Sequence, residues 1–150
     1  MKIKTGDGWK GKSKADMINR VLGTDFKQHM QSGVRINRGT SDEILAWFVV
    51  LDEKPRGTDG SWLWVDKLSC DGREIEEFYV GDDYLKYKYK MKKGEFPRRL
   101  VFQIDPDDVG DRYFCRFMGE FHLVERNDNI GYKRYKKVSD EFKLIREEGR

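Results

Sequence analysis

Tyr113-Phe114-Cys115-Arg116-Phe117-Met118-Gly119-Glu120-Phe121-His122-Leu123-Val124 is the stretch that decides the fold. Tyr113, Cys115, Phe117, Gly119, Phe121 and Leu123 share one parity, and the intervening six residues share the other. Successive side chains of a strand point to opposite faces, so this period of two predicts one long, half-buried β-strand. Gly119 falls inside it, where a glycine marks a bend or a close backbone approach.

Working outward, Arg99 to Asp105 alternates, with Leu100, Phe102 and Ile104 on one face, and Pro106 to Gly110 supplies the turn. Tyr132 to Val138 predicts the last strand, and Ser139-Asp140-Glu141 predicts the start of a short terminal helix. Ile44 to Leu51 is almost wholly apolar, as a strand buried on both faces must be. Asp71-Gly72 is a hairpin signal between strands over Ser61 to Ser69 and Arg73 to Val80. Near the N-terminus the period becomes helical. Ser13 reads as an N-cap with Asp16 at the third helical position, followed by Met17, Ile18, Val21, Leu22 and a stop at Gly23. That predicts a helix over 13–22, and Thr24-Asp25-Phe26 predicts a second short turn reaching Met30.

The expected architecture is α+β: a single domain over 1–150, with that helix, a β-rich region over 44–138 and a short C-terminal tail. Five or six hairpin-connected strands form a curved, mostly antiparallel sheet or a partial barrel, PUA-like or OB-like in style. Only 37% of the 150 residues are hydrophobic but 13% are aromatic, so a few large rings must build the core. No apolar run reaches the ~18 residues of a membrane span, and Met1 to Gly6 lacks a signal peptide's apolar stretch. A cytoplasmic protein without membrane contact is expected, with Cys70 and Cys115 as reduced thiols.

The net charge of +3 conceals a strong asymmetry. Residues 84–99 hold seven Lys/Arg and one Glu, and residues 131–137 hold four Lys/Arg and no acid, leaving the remainder acidic. In Tyr84 to Lys93, an extended chain places Tyr87, Tyr89 and Met91 on one face and Lys86, Lys88 and Lys90 on the other. Lysines contact phosphates and tyrosine rings stack bases, so Lys86, Tyr87, Lys88, Tyr89, Lys90, Lys92 and Lys93 are candidate nucleic-acid contacts. Arg98, Arg99, Lys133, Arg134, Lys136 and Lys137 extend the set. The competing reading is an edge strand with tyrosines packed inward and lysines kept outward against aggregation.

Trp62, Trp64 and Asp66 share a strand face. Indoles beside a carboxylate can sandwich an extruded base and accept a hydrogen bond from its exocyclic amine. Trp47 and Trp9 are candidates to complete that pocket, against the plainer reading of all four tryptophans as core. No metal or cofactor is expected, because His29, His122, Cys70 and Cys115 show no ligand spacing. Pro106-Asp107 with Glu141-Phe142-Lys143 matches a nominal nuclease pattern, in which Asp107 and Glu141 would hold Mg²⁺ and Lys143 would assist water.

Arg99-Leu100-Val101-Phe102-Gln103-Ile104, Phe117-Met118-Gly119-Glu120-Phe121 and Tyr135-Lys136-Lys137-Val138-Ser139-Asp140 together resemble an uncharacterised domain of phage and mobile-element proteins, some of it restriction-associated. The resemblance covers the C-terminal third and implies a setting of defence and counter-defence. The leading expectation is a non-enzymatic module that binds nucleic acid, DNA or RNA, with a phage or mobile-element origin implied by the resemblance. The alternative is a phage-encoded inhibitor that contacts a host defence protein directly, through acidic stretches such as Glu74 to Glu77. A metal-dependent nuclease is the third reading.

Overall fold

A computed structural model describes residues 1–28, 33–51, 64–79, 96–105 and 113–144. Along the chain run β1 (Lys2–Lys4), β2 (Gly8–Gly11), α1 (Lys14–Leu22), β3 (Gly33–Ile36), β4 (Ile44–Val49) and β5 (Trp64–Leu68). After them come β6 (Glu74–Tyr79), β7 (Arg98–Asp105), β8 (Tyr113–Asn127), β9 (Tyr132–Ser139) and β10 (Glu141–Lys143). The main sheet has eight strands in the order β3-β4-β7-β8-β9-β6-β5, with β2 added to β8, and β1 pairs β10 separately. Pairing is antiparallel except between β4 and β7, which run parallel. Among the described residues the sheet does not close on itself, in keeping with the expected open sheet or partial barrel, and the ten strands outnumber the five or six expected.

The sequence signals explain the local structure. Ser13 Oγ accepts from the Asp16 amide at 3.1 Å, and Gly23 closes α1 in the left-handed region at φ 69°. A polar N-cap of this kind contributes about 1 kcal/mol. Residues 24–28 form no second helical turn; instead Asn19 Oδ1 accepts from the Thr24 hydroxyl and the Phe26 amide, at 2.7 and 2.9 Å. The expected helix at Ser139 is also absent. Glu141 and Phe142 stay extended because β1 captures them, with Ile3 opposite Phe142 and Lys2 ion-paired to Glu141 at 2.7 Å.

The sheet buries apolar residues on both faces, which is why β4 is apolar throughout. Ile44, Ala46 and Phe48 join Leu100, Phe102, Phe117 and the α1 residues Met17, Ile18 and Val21 in the core beneath the helix. Phe102 anchors that core, stacked on Phe48 at 4.7 Å and flanked by Phe117 and Trp9 at 5.2 and 5.9 Å. Trp47 and Val49 point the other way and meet Ile75, Val101, Phe121 and Tyr135 in a second core. We call this second side the inner face. At Gly119, β8 adopts φ 125°, and a Cβ there would stand 2.8 Å from the Ser139 carbonyl oxygen. Across the bend β8 stays paired to β7 from Phe114 to His122, and it pairs β2 over Tyr113 to Arg116 and β9 over Glu120 to Asn127.

Candidate base-binding site on the inner face

The hairpin at Asp71-Gly72 builds the site. Asp71 Oδ1 accepts from Ser69 Oγ at 2.7 Å and the Arg73 amide at 3.0 Å, while Gly72 takes the left-handed φ of 72°. These bonds set the register that places Trp64 opposite Tyr79, Asp66 opposite Glu77 and Leu68 opposite Ile75. On β9, Lys133 stands opposite Glu77 and Tyr135 opposite Ile75. Directly opposed residues share a sheet face. Ile75 and Tyr135 belong to the second core, so Asp66, Glu77 and Lys133 also face inward.

Trp64 and Tyr79 meet edge to face at 5.3 Å and wall one side of the carboxyl row. Arg99 walls the other side. It is only 8% exposed, with its guanidinium 4.6 Å from both the Trp47 and Tyr135 rings and Nε donating to the Phe96 carbonyl at 3.1 Å. Between these walls, Asp66 Oδ1 is shut off from solvent and no donor reaches it among the described residues. Burial pushes the Asp66 carboxyl well above the usual carboxylate range, and the neighbouring Glu77 adds to the shift; Arg99 and Lys133 oppose it. A buried acceptor without a donor costs folding free energy, about 1–3 kcal/mol, and calls for a functional account.

Of the sequence-level candidates, Trp64 and Asp66 share this face, and Trp62 lies outside the described residues. Trp47 belongs to the wall, but Trp9 packs on Phe102 on the opposite side of the sheet and cannot line the site. Lys86, Tyr87, Lys88, Tyr89, Lys90, Lys92 and Lys93 also lie outside the described residues. The second basic stretch divides between the faces. Lys133 and Lys137 are buried, the latter donating to Asp140 at 3.0 Å. Arg134 lies outward, bound to Glu74 and Glu125 at 2.7 and 3.1 Å, and Lys136 is exposed. Arg98 shares Glu120 with His122, at 3.6 Å from the carboxylate. Glu77 and Tyr79 are the residues that motif reading missed, although the symmetric hairpin at Asp71-Gly72 already implied their register.

Asp107 of the nuclease pattern lies outside the described residues, and Glu141 is engaged by Lys2 on the two-stranded sheet. Among the described residues, no three His, Cys, Asp or Glu converge as metal ligands, and no helix is long and apolar enough to cross a membrane.

An open, curved sheet whose inner face holds rings, buried cations and an unmatched carboxyl oxygen suits a nucleic-acid-binding domain. Residues 1–144 match the SET and RING associated (SRA) domain, and the chain belongs to that family. SRA domains bind DNA, so nucleic-acid binding holds for this chain at that level. The fold is similar to that of AbaSI, described as a 5-hydroxymethylcytosine-specific restriction enzyme. The TM-score is 0.68 at 24% identity, over 97% of this chain and 43% of that one. The chain thus spans less than half of the enzyme's length, and at that identity the likeness speaks for the fold. A search of the curated proteins finds no match.

Proposed function

We propose that this domain reads modified cytosine in duplex DNA by drawing the extruded base onto the inner face, where Asp66 accepts its exocyclic amine. The observation that carries the reading is the buried Asp66 Oδ1, which no donor reaches among the described residues. Cytosine presents an N4 amine donor, and extrusion brings that edge within reach of groups that cannot approach it inside a duplex. Trp64 and Tyr79 offer apolar faces beside the carboxyl. Lys86, Lys88, Lys90, Lys92, Lys93, Tyr87, Tyr89 and Lys136 serve as backbone and stacking contacts to the DNA, by residue type. AbaSI's specificity for 5-hydroxymethylcytosine makes that base, with 5-methylcytosine, the first to try. The setting we propose is restriction of modified DNA or its phage counterpart, with this chain as the reading part.

The test compares labelled duplexes that differ at one position, carrying cytosine, 5-methylcytosine or 5-hydroxymethylcytosine, across a salt series. A modified base should bind more tightly than cytosine. Asp66→Ala should cost about 1–3 kcal/mol with each of the three bases, whose N4 amine is the same with or without a 5-substituent, and should leave the salt-dependent part of binding in place. Equal affinity for all three duplexes in the parent protein would sink the reading.

A further inference from the structure

Two carboxyls opposed on neighbouring strands, one with an oxygen shut off from solvent, require an explanation beyond that of a single acceptor. We propose that Asp66 and Glu77 hold one proton between them, and that Glu77 is thereby a positioning residue fixing the carboxyl that accepts the base. The inference rests on the base-reading role of Asp66.

The geometry comes first. Asp66 and Glu77 are directly opposed on β5 and β6, a placement in which like charges destabilise a sheet. Asp66 Oδ1 is out of reach of water and of every described donor, so a hydrogen bond between the carboxyls exists only if one carries a proton. The cations facing the pair are Lys133, opposite Glu77 on β9, and Arg99 from β7. They favour ionisation of one carboxyl. Burial and mutual repulsion oppose ionisation of the second, as in other carboxyl pairs that titrate as a unit. The direction of the Asp66 shift agrees, because burial and Glu77 outweigh the two cations.

Singly ionised, the pair is held together and still presents acceptor lone pairs to an amine. At higher pH the proton is lost, two like charges face each other, and the carboxyls must part or draw in water. Base-specific binding then has to recover the proton, so it weakens by about tenfold for each pH unit above the pair's upper pKa. Glu77→Gln supplies an amide donor in place of the shared proton and makes that recovery unnecessary.

Two measurements on the whole chain test this. In the free protein, carboxyl ¹³C NMR should show Asp66 titrating above the ordinary range, and Glu77→Gln should bring it down. In binding assays from about pH 6 to about pH 9, the preference for a 5-hydroxymethylcytosine duplex over one carrying thymine at that position, which lacks the amine, should decline at the alkaline end. In Glu77→Gln the preference should persist and its profile should flatten. Asp66 titrating in the ordinary range, or identical pH profiles for parent and Glu77→Gln, overturns the inference. A parent with no base preference at any pH, but with a raised Asp66 titration, overturns the base-reading role and leaves the shared proton standing.

Discussion

Arg99→Met separates a residue that holds the inner face together from one that touches DNA. The guanidinium lies 4.6 Å from each of the Trp47 and Tyr135 rings, with Nε 3.1 Å from the Phe96 carbonyl. Buried cation–π contacts are worth about 0.5–2 kcal/mol each. A hydrogen bond from a charged donor adds about 1.5–3 kcal/mol. Keeping the guanidinium out of water offsets part of this gain, and methionine refills most of the volume. The net loss expected is about 2–3 kcal/mol, as for other broken buried networks. Urea unfolding followed by tryptophan fluorescence measures it, and Tm should fall by about 5–10 °C for a domain of this size. The same variant goes into DNA binding across a salt series. Each phosphate contact contributes about 0.9 to the slope of log K against log salt. An Arg99 occupied by two rings leaves that slope at the parent value. Unchanged stability with a slope shallower by about 0.9 would refute the reasoning and make Arg99 a phosphate contact.

Two further substitutions probe the scaffold. Phe102→Ala empties the position that Phe48, Phe117 and Trp9 surround and should cost about 3–5 kcal/mol in chemical denaturation; a loss below that range would mean the ring cluster can collapse into the space. Gly119→Ala sets a Cβ 2.8 Å from the Ser139 oxygen at φ 125°, and should cost about 2 kcal/mol or more. A neutral result there would show that the bend in β8 is soft.

Long elements were legible in the sequence, and short ones were not. β8 could be read as one long strand from its parity, but the register shift beside Gly119 turns Cys115 and Phe117 to the helix side and Phe121 and Leu123 to the inner face; α1 was legible from its cap, its apolar spacing and Gly23. Lys2-Ile3-Lys4 and Glu141-Phe142-Lys143 have too few residues to show a period. They become strands because burying Ile3 brings β1 alongside the chain end. Ser139 shows how tertiary pairing overrides a local signal. Its hydroxyl accepts from the Glu141 amide at 3.1 Å, as a cap-like residue does, yet the chain remains extended. The site was half legible. Trp64 and Asp66 stood out as an alternating aromatic and acid, whereas Glu77 and Tyr79 required the hairpin register. The Lys/Tyr composition of β9 pointed to a basic surface, but its alternation carries Lys133 and Lys137 inward with Tyr135.

The strand order also governs how this chain folds. The parallel pair β4·β7 joins segments between which, among the described residues, β5 and β6 intervene in sequence, and β2 waits for β8. The clasp between Met1 and Leu144 spans 143 positions of chain. Contacts so distant in sequence delay the rewarding steps of folding until the entropy of closing long loops has been met. The antiparallel hairpins β5–β6 and β8–β9 are the local pieces able to assemble early, and the first already sets Asp66 against Glu77. On a ribosome, the β5–β6 hairpin can therefore take its register while the helical side of the sheet still lacks its final strand.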